Sequence, residues 1–527
     1  MKRQSVLIFS ILFTCLCLPL TAQVKEVATL DTLSILTFND FHGSFVEDGG
    51  VPGAGQFVQM VLDEKAKHPH TIVVSGGDNF SGSYYSLITK GRPLPEMFEM
   101  LGVEVSALGN HEFDWGISFL VDSAARYTPY ISANVTTNGS DQPDWIEPYK
   151  IVERTLKNGE VIRVAFVGLI TTETVYQTNP VNLKGLQFIH PLGAAATQTL
   201  YKLKKEGAID MIVLLAHIGS SMRNPGRLTE ENTKVLPYLE GIDAIITAHT
   251  HEVVLDKINN VPVIQVGSLG KYVGKLLFQV RSEDGMREIS FLSGDTLHTS
   301  AGRNPEMVEL VDHYMEKHQL NRVLTVAKDD LIHNRKINQW EYTPVGMLVT
   351  SAYVDCFREK NKEPELNELP VIGMNHYGGI RTSIFKGEVT ILRAGNVLPF
   401  GGDVVAYRFD GKRLKALLQE GRTNSTGYMQ VSPVEMRLKG DQVDQLYWTS
   451  PEGKRMEITD STPCIVVLDQ FITAGGDGYN TSLFDTYGID SFNAQHNETT
   501  RTFIDYLAKQ KTISTKAVLT PKVIDSF

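Results

Sequence analysis

Alternating buried-strand and amphipathic-helix patterns fill the first half of the chain. Six apolar runs predict short strands, at residues 33–38, 71–75, 103–108, 161–169, 211–216 and 243–247. Apolar positions at helical spacing predict helices at residues 55–67 and 94–101. Because strands that alternate with helices build layered folds, this pattern predicts an α/β domain from about Leu33 to Gly270.

The pattern changes after residue 300. A helix with one polar face is predicted at residues 304–320, and another helix at residues 345–357. The rest of the chain carries glycine-containing turns at residues 375–381, 398–402 and 471–478. A chain of 527 residues is too long for one hydrophobic core. We therefore predict two domains, at residues 30–300 and 323–527, joined by a linker helix at residues 301–322.

The first 22 residues predict a secretory signal peptide. Met1-Lys2-Arg3 is a basic start, residues 6–20 are apolar, and Ala22 is a small residue at the expected cleavage site. This apolar stretch is too short for a membrane span, and no later stretch is longer. We therefore expect an exported protein, periplasmic or secreted.

The charge balance limits the partners that the protein can bind. The formal net charge is −11, and it becomes −13 without Lys2 and Arg3, the only charged residues of the signal peptide. An acidic surface disfavours polynucleotides, whose affinity comes mainly from phosphate neutralisation. An anionic small molecule must therefore be attracted locally, by metal ions or arginine. The sequence does not decide whether Cys356 and Cys464 form a disulfide, and it does not give the oligomeric state.

Side chains with metal-binding chemistry follow five of the predicted strands. Ligands gather at the carboxyl ends of strands in α/β folds, so we expect these side chains to lie close together. Oxygen and imidazole ligands suit two first-row divalent cations, such as zinc, manganese, iron or cobalt, rather than calcium. A shared carboxylate would keep two such ions about 3.5–4 Å apart, and Asp78 is our candidate for it. The predicted ligands are Asp40, His42, Asp78, Asn110, His217, His249 and His251.

The stretch from Leu108 to Gly116 adds a candidate for proton transfer. His111 carries an imidazole that titrates near neutral pH, and Asp114 can hold that ring in one tautomer. Taken alone, the stretch also fits a strand, a turn and a capped helix. The four other strand ends with similar chemistry favour the functional interpretation.

Taken in order, these motifs resemble the calcineurin-like metallophosphoesterases. The resemblance rests on Asp-x-His at residues 40–42, Gly-Gly-Asp at 76–78, Gly-Asn-His-Glu-x-Asp at 109–114, His217, and His-x-His at 249–251. Longer matches at residues 37–42, 109–116 and 267–274 resemble the secreted 5′-nucleotidase branch. The resemblance implies an N-terminal α/β sandwich of two mixed β-sheets flanked by helices. A smaller α/β substrate-binding domain would follow it.

The resemblance also implies a role for each candidate residue. One metal is held by Asp40, His42, Asp78 and His251, and the other by Asp78, Asn110, His217 and His249. His111 and Asp114 form the catalytic dyad. In the second domain, Arg381 binds the anionic end of the substrate, Phe400 and Phe471 stack on the base, Asp477 lies near the ribose hydroxyls, and Asn375 is a further contact. A domain rotation with its hinge near residues 304–320 is also implied.

Two departures from the family pattern concern the substrate pocket. The family usually has an arginine shortly before its Met/Leu-Gly-x-Leu helix, whereas the nearest arginine here, Arg335, lies further upstream of Gly346. The asparagine expected five residues before Arg381 is replaced by His376, beside Asn375. The reaction type is therefore better defined than the substrate.

We expect an exported two-metal phosphohydrolase that removes phosphate from nucleotides by in-line attack of a metal-bridging water. The sequence does not decide whether the enzyme also hydrolyses UDP-sugars or cyclic nucleotides. The alternative among enzymes is a phosphatase or cyclic phosphodiesterase that acts on another phosphoester. A nucleotide-binding surface protein without turnover is the alternative from another class, and the complete metal and dyad set argues against it.

Overall fold

The structure is a computed structural model. It describes residues 29–124, 128–137, 141–190, 194–207, 209–222, 241–283, 286–300, 302–335, 337–484, 488–517 and 522–525. The predicted signal peptide lies outside these ranges. None of the helices within them combines the length and the apolar character needed to span a lipid bilayer.

Strands and helices alternate through the first 300 residues. The described strands are β1 (Thr29–Phe38), β2 (Thr71–Ser75), β3 (Val103–Ala107), β4 (Tyr130–Ile131), β5 (Val135–Thr136), β6 (Tyr149–Thr155), β7 (Val161–Ile170), β8 (Gln187–Phe188), β9 (Met211–His217), β10 (Ala244–Thr247), β11 (Val253–Ile258), β12 (Val261–Val266), β13 (Tyr272–Glu283) and β14 (Met286–His298). The described helices are α1 (Gly53–Lys65), α2 (Tyr84–Thr89), α3 (Pro93–Leu101), α4 (Ile117–Phe119), α5 (Thr174–Gln177) and α6 (Ala194–Glu206).

Two six-stranded mixed sheets form the N-terminal sandwich, with strand orders β14-β13-β1-β2-β3-β4 and β11-β12-β10-β9-β7-β6. In the first sheet β1 to β4 run parallel, and in the second β7, β9, β10 and β12 run parallel. Antiparallel strands complete the sheets: β13 and β14 at one side of the first, and β11 and β6 at the two sides of the second. This arrangement confirms the predicted sandwich of two mixed sheets.

Because successive side chains point to opposite faces of a strand, the apolar residues of each strand lie in two layers. In β1, Leu33 and Ile35 lie in the core between the sheets, whereas Leu36 and Phe38 pack on the outer face with α1 and α3. On the outer face of the second sheet, Leu200 of α6 packs against the strands. Both faces of each sheet are buried, and this explains why the central strands appear in the sequence as continuous apolar runs.

The C-terminal half is built around a five-stranded sheet. Its described helices are α7 (Pro305–Lys317), α8 (Pro344–Lys360), α9 (Ile391–Gly395), α10 (Gly411–Thr423), α11 (Gln470–Thr473), α12 (Asp490–Asn493) and α13 (Thr499–Lys509). Its described strands are β15 (Val323–Ala327), β16 (Val371–Asn375), β17 (Gly387–Thr390), β18 (Asp403–Asp410), β19 (Gln430–Ser432), β20 (Val434–Lys439), β21 (Gln442–Thr449), β22 (Arg455–Ile458), β23 (Pro463–Asp469), β24 (Asn497–Glu498), β25 (Thr512–Ile513) and β26 (Lys522–Asp525). The central sheet has the order β19-β16-β23-β18-β24, and smaller sheets join β17-β15-β25 and β22-β21-β20-β26.

Specific contacts hold the two halves together around one cleft. Asn396 Oδ1 accepts a hydrogen bond from the backbone N–H of Tyr84, at 2.9 Å. The Tyr84 ring packs so closely on Gly395 that a Cβ at residue 395 would collide with it. Arg393 pairs with Asp48 at 3.0 Å. These contacts keep the C-terminal half over the ends of the N-terminal strands.

Most sequence-predicted boundaries differ from the structure by a few residues. The helix expected at residues 304–320 is α7, with Asn304 as its N-cap, and the helix expected at 345–357 is α8. The stretch after β3 forms a 3₁₀ turn at Asn110–Phe113 before the short α4. Cys356 and Cys464 are both buried and free, so the structure contains no disulfide between them. The domain boundaries remain predictions.

Candidate active site

The predicted metal ligands lie at the carboxyl ends of β1, β2 and β3 in one sheet and of β9 and β10 in the other. Five of them have a left-handed backbone, which turns their side chains toward one point at the edge of the sandwich. They are Asp40 (φ 50°), His42 (φ 52°), Asp78 (φ 55°), His249 (φ 80°) and His251 (φ 57°). The chain therefore turns at Asp40 and His42.

The first candidate metal group contains Asp40, His42 and His251, whose ligand atoms lie within 4.8 Å of one another. His251 Nε2 is 3.3 Å from Asp40 Oδ1 and 3.0 Å from His42 Nε2. The carbonyl oxygen of Ser81, 2.8 Å from His42 Nδ1, accepts the proton of that nitrogen. This contact leaves the lone pair of His42 Nε2 free for a cation.

The second candidate group contains Asp78, His217 and His249. His217 Nδ1 donates to the carbonyl of Gly76 at 2.8 Å, and this leaves Nε2 as the ligand atom. That Nε2 lies 3.2 Å from Asp78 Oδ2 without forming a hydrogen bond to it. Asn110 Oδ1 is likewise buried without a hydrogen-bond partner. Two buried, unpaired polar atoms beside a carboxylate fit a cation site, because leaving such atoms unpaired is costly.

Asp78 lies between the two groups, since a third set of neighbouring ligand atoms joins it to His42 and His111. The imidazoles of His217, His111 and His42 hold the pKa of Asp78 well below its usual range, although burial alone would raise it. Burial would lower the pKa of His217, but Asp78 raises it to about 10. Burial and the neighbouring His251 lower the pKa of His42. Ionised carboxylates and a neutral His42 suit a divalent cation, whereas His217 must lose a proton when a cation binds.

His111 and Asp114 form a hydrogen-bonded pair at the same edge. Asp114 Oδ2 accepts from His111 Nδ1 at 2.7 Å and from Ser81 Oγ at 2.5 Å. Asn182 Nδ2 donates to the backbone carbonyl of Asp114 at 2.7 Å. Burial would lower the pKa of His111, but Asp114 and Asp78 raise it. Because Nδ1 is held by Asp114, Nε2 is the nitrogen that is free to interact with a substrate.

Glu112 supports this edge, a role that the sequence motifs did not indicate. Its buried carboxylate accepts the backbone N–H groups of Asp78 (2.8 Å), Asn79 (2.8 Å) and Gly109 (2.7 Å). Gly109 lies so close to Asp78 Oδ1 that a Cβ there would collide with it. Burial and the nearby Asp78 raise the pKa of Glu112 to about 7. Glu112 thus joins the loops that follow β2 and β3.

A cavity of about 1280 Å³ lies between the two halves of the chain. His111 and the Phe400 ring stack at its wall with centroids 5.1 Å apart and planes 5° apart. The Arg381 guanidinium lies 5.1 Å from the Phe400 centroid. In this arrangement Phe400 therefore packs on the dyad histidine, a neighbour that the sequence did not predict. The predicted site residues on the cavity wall are His42, Asp78, Asn110, His111, Asp114, His249, His251, Arg381, Phe400, Phe471 and Asp477.

Arg335 also lines this cavity, although it lies far from the position where the family pattern led us to expect an arginine. The loop that carries it folds back, because Tyr377 donates to the carbonyl of Asn334 at 3.0 Å. Burial and the charge of Arg335 hold the pKa of Arg381 below its usual value. The structure records no carboxylate within ion-pair distance of either guanidinium among the described residues. Two guanidinium groups without carboxylate partners favour an anionic ligand.

Asn375 does not reach the cavity, which corrects its assignment as a substrate contact. It is the last residue of β16, fully buried, and its Oδ1 accepts a hydrogen bond from Tyr353 at 2.9 Å. The next residue, His376, lines the cavity instead. Side chains alternate along a strand, so a shift of one residue changes the face.

Two family profiles match the chain. The profile described as calcineurin-like phosphoesterase matches residues 33–253, and the profile described as 5′-nucleotidase, C-terminal domain, matches residues 323–483. The first half of the chain therefore carries a calcineurin-like phosphoesterase domain, and the second half carries a 5′-nucleotidase C-terminal domain. These domains identify a metal-dependent phosphoester hydrolase.

Two relatives and one crystal structure are similar to the chain over most of its length. The 5′-nucleotidase of Vibrio cholerae is 25% identical over 516 residues, which cover 88% of each chain. The trifunctional nucleotide phosphoesterase YfkN of Bacillus subtilis is 25% identical over 521 residues, 87% of this chain, but the match spans only 33% of that longer protein. The crystal structure of a 5′-nucleotidase precursor from Thermus thermophilus has a TM-score of 0.73 at 23% identity, covering 94% of this chain and all of that one. This last match shows a shared fold.

Proposed function

We propose that the chain is an exported two-metal phosphohydrolase that removes phosphate from nucleotides. One observation carries the proposal, which is that metal-group residues, the His111–Asp114 pair, two arginines and two nucleoside-site candidates all line a single cavity. They are His42, Asp78, Asn110, His249, His251, His111, Asp114, Arg335, Arg381, Phe471 and Asp477. A phosphate and a nucleoside can therefore be held at the same time. A cavity of about 1280 Å³ is large enough for a nucleotide.

The metal sites follow from the two groups of ligand atoms. We propose Asp40, His42, Asp78 and His251 for one ion, and Asp78, Asn110, His217 and His249 for the other. When bound, two such cations lower the pKa of a water molecule and stabilise charge on phosphoryl oxygens. Zinc, manganese, iron and cobalt all suit these oxygen and imidazole ligands.

The chain's own groups would act on the phosphate from the other side. His111, held through Nδ1 by Asp114, presents Nε2 to a phosphoryl oxygen or to the leaving oxygen. Arg335 and Arg381 bring positive charge to the cavity wall, where a charge-assisted hydrogen bond to phosphate is strong. The raised pKa of His111 favours its protonated form, which is the form that donates.

A phosphatase or cyclic phosphodiesterase that acts on a different ester is the second candidate. Gln339 lines the cavity from the stretch before α8, where the family pattern has an arginine. The name of the Bacillus relative also describes a protein with three activities on nucleotides. Phosphate release from nucleoside mono-, di- and triphosphates, UDP-sugars, cyclic nucleotides and glycerol phosphate separates the two candidates.

Phe471→Ala provides the sharper test of the nucleotide assignment. Loss of one stacking ring costs about 1–3 kcal/mol, which is about 5- to 150-fold in binding. We expect kcat/KM for adenosine monophosphate to fall by a factor in this range relative to kcat/KM for glycerol phosphate. Phe484→Ala is a matched control, because Phe484 is a buried ring that packs on Tyr407 and Phe409 and does not line the cavity. An unchanged ratio in Phe471→Ala would leave only a two-metal phosphoesterase of unknown substrate.

Export rests on the N-terminal sequence. Full-length protein expressed in a Gram-negative host should appear in the periplasmic fraction, and its first residue by mass spectrometry should be Gln23. Recovery of an uncleaved chain in the cytoplasm would remove export from the proposal without affecting the phosphohydrolase assignment.

A further inference from the structure

His376 lies on the cavity wall, and the proposed reaction gives it no role. Its Nδ1 is 2.9 Å from Asp477 Oδ2, and its ring stacks on Phe471 with centroids 4.4 Å apart and planes 28° apart. One imidazole thus contacts both groups that we assign to the nucleoside. It is 8% exposed, so its environment is mainly protein.

Asp477 is held in a strained and well-defined conformation. Its backbone is left-handed, with φ 53° and ψ 17°, which is unfavourable for a residue other than glycine. Asn424 Nδ2 donates to its carbonyl at 3.0 Å. His376 Nδ1 donates to its Oδ2, and Thr426 Oγ1, which donates to Asn424 Oδ1 at 2.8 Å, lies 3.3 Å from the same Oδ2. Asp477 Oδ1 has no hydrogen-bond partner among the described residues, so it is the oxygen that can accept from a ligand.

The His376 ring has little freedom to move. Its Nε2 lies against the backbone of Gly379, so closely that a Cβ at residue 379 would collide with it. Phe471 covers one face of the ring. An imidazole packed between a ring and a peptide backbone keeps its Nδ1–H directed at Asp477.

We propose that His376 is a positioning residue that gives the enzyme its preference for ribonucleotides. It fixes the Asp477 carboxylate so that Oδ1 accepts hydrogen bonds from the vicinal hydroxyls of ribose, and it supports the Phe471 ring against which the base stacks. This inference rests on the proposed nucleotide substrate. It assigns His376 no contact with the phosphate or with the reacting atoms.

Two substitutions separate the hydrogen bond from the ring stacking. His376→Phe keeps an aromatic ring against Phe471 but removes the donor to Asp477. His376→Asn removes the ring but keeps a donor close to the position of Nδ1. We expect His376→Phe to reduce about tenfold the ratio of kcat/KM for adenosine monophosphate to that for 2′-deoxyadenosine monophosphate, mainly through KM. His376→Asn should recover most of this ratio.

A double-mutant cycle tests whether His376 acts through Asp477. In an Asp477→Ala background, His376→Phe should have little further effect on the ribose-to-deoxyribose ratio, because interacting residues are non-additive. Thr426→Val removes the longer hydroxyl contact to the same oxygen, together with a hydrogen bond to Asn424, and should shift the ratio less and in the same direction. Melting curves of every variant guard against loss of folding.

The outcomes distinguish this inference from the proposed function. If wild-type enzyme prefers adenosine monophosphate to glycerol phosphate and His376→Phe keeps the wild-type ribose-to-deoxyribose ratio, the role of His376 is wrong and the nucleotidase remains. Additive effects of His376→Phe and Asp477→Ala would also overturn it. If wild-type enzyme shows no preference between adenosine monophosphate and glycerol phosphate, the nucleotide assignment fails, and the role of His376 fails with it.

Discussion

Replacing Glu112 by Gln tests how the two loops at the metal groups are held in place. The carboxylate receives three backbone N–H groups, two at Oε2 (from Asp78 and Gly109) and one at Oε1 (from Asn79). Gln has the same shape but only one acceptor oxygen. If that oxygen takes the position of Oε2, the amide NH₂ faces the N–H of Asn79, and one buried donor loses its partner.

The expected loss of stability follows from the number of hydrogen bonds that the Gln side chain cannot accept. A hydrogen bond to a charged acceptor contributes about 1.5–3 kcal/mol, and an unpaired buried donor has a similar cost. At a pH above the Glu112 pKa of about 7, where the carboxylate is ionised, we therefore expect the free energy of unfolding of the N-terminal half to fall by about 2–3 kcal/mol. For a domain of roughly 250 residues, this lowers Tm by about 4–12 °C. Metal affinity should fall as well, because Asp78 loses a contact that fixes its backbone.

Differential scanning calorimetry of metal-saturated protein measures the first effect, and metal content after dialysis measures the second. Glu96→Gln is the matched control, since Glu96 is exposed on α3. A Glu112→Gln protein with wild-type melting and metal content would refute the reasoning. That result would show that Glu112 is protonated in the native state, because a neutral carboxylic acid and an amide are then nearly equivalent.

Three further substitutions test the groups around the ions. His111→Ala should lower kcat by about 10²–10⁴-fold with metal content unchanged, and loss of metal would instead make His111 a ligand. Asp78→Asn should abolish both metal binding and turnover, measured by elemental analysis and phosphate release, and two retained ions would show that Asp78 does not bridge them. Ser81→Ala removes one of the two hydrogen bonds to Asp114 Oδ2 and should lower kcat about 3- to 10-fold. Ser81→Thr should restore the rate, whereas equal losses in both variants would point to a packing defect.

The sequence predicted the elements whose apolar pattern is continuous. The strands β1, β2 and β3 are buried on both faces, so their apolar runs are uninterrupted and their ends are well defined. The polar residues directly after these strands must lie at one edge of the sheet, which is why motif order alone brought the candidate ligands together. The domain boundaries and the roles of the site residues remain predictions.

Contacts that depend on loop paths could not be predicted in this way. Arg335 reaches the cavity only because its loop returns along Tyr377, and nothing in the local sequence encodes that return. Asn375 and His376 are neighbours in the chain, yet the end of β16 directs one into the core and the other to the cavity. Glu112 lies within a recognised motif, but its role depends on backbone groups, which have no sequence signature.

The left-handed backbone at five predicted ligands carries an energetic cost that bound ions would offset. A non-glycine residue in this conformation costs about 1–2 kcal/mol, so Asp40, His42, Asp78, His249 and His251 together store about 5–10 kcal/mol. This is comparable to the whole stability of a typical domain. Chelation should therefore lower Tm far more than loss of a surface ion would, and calorimetry with and without chelator measures the difference. Replacing a ligand by glycine would relax its backbone, whereas replacement by alanine would keep the strain, so His249→Gly should melt above His249→Ala in chelator.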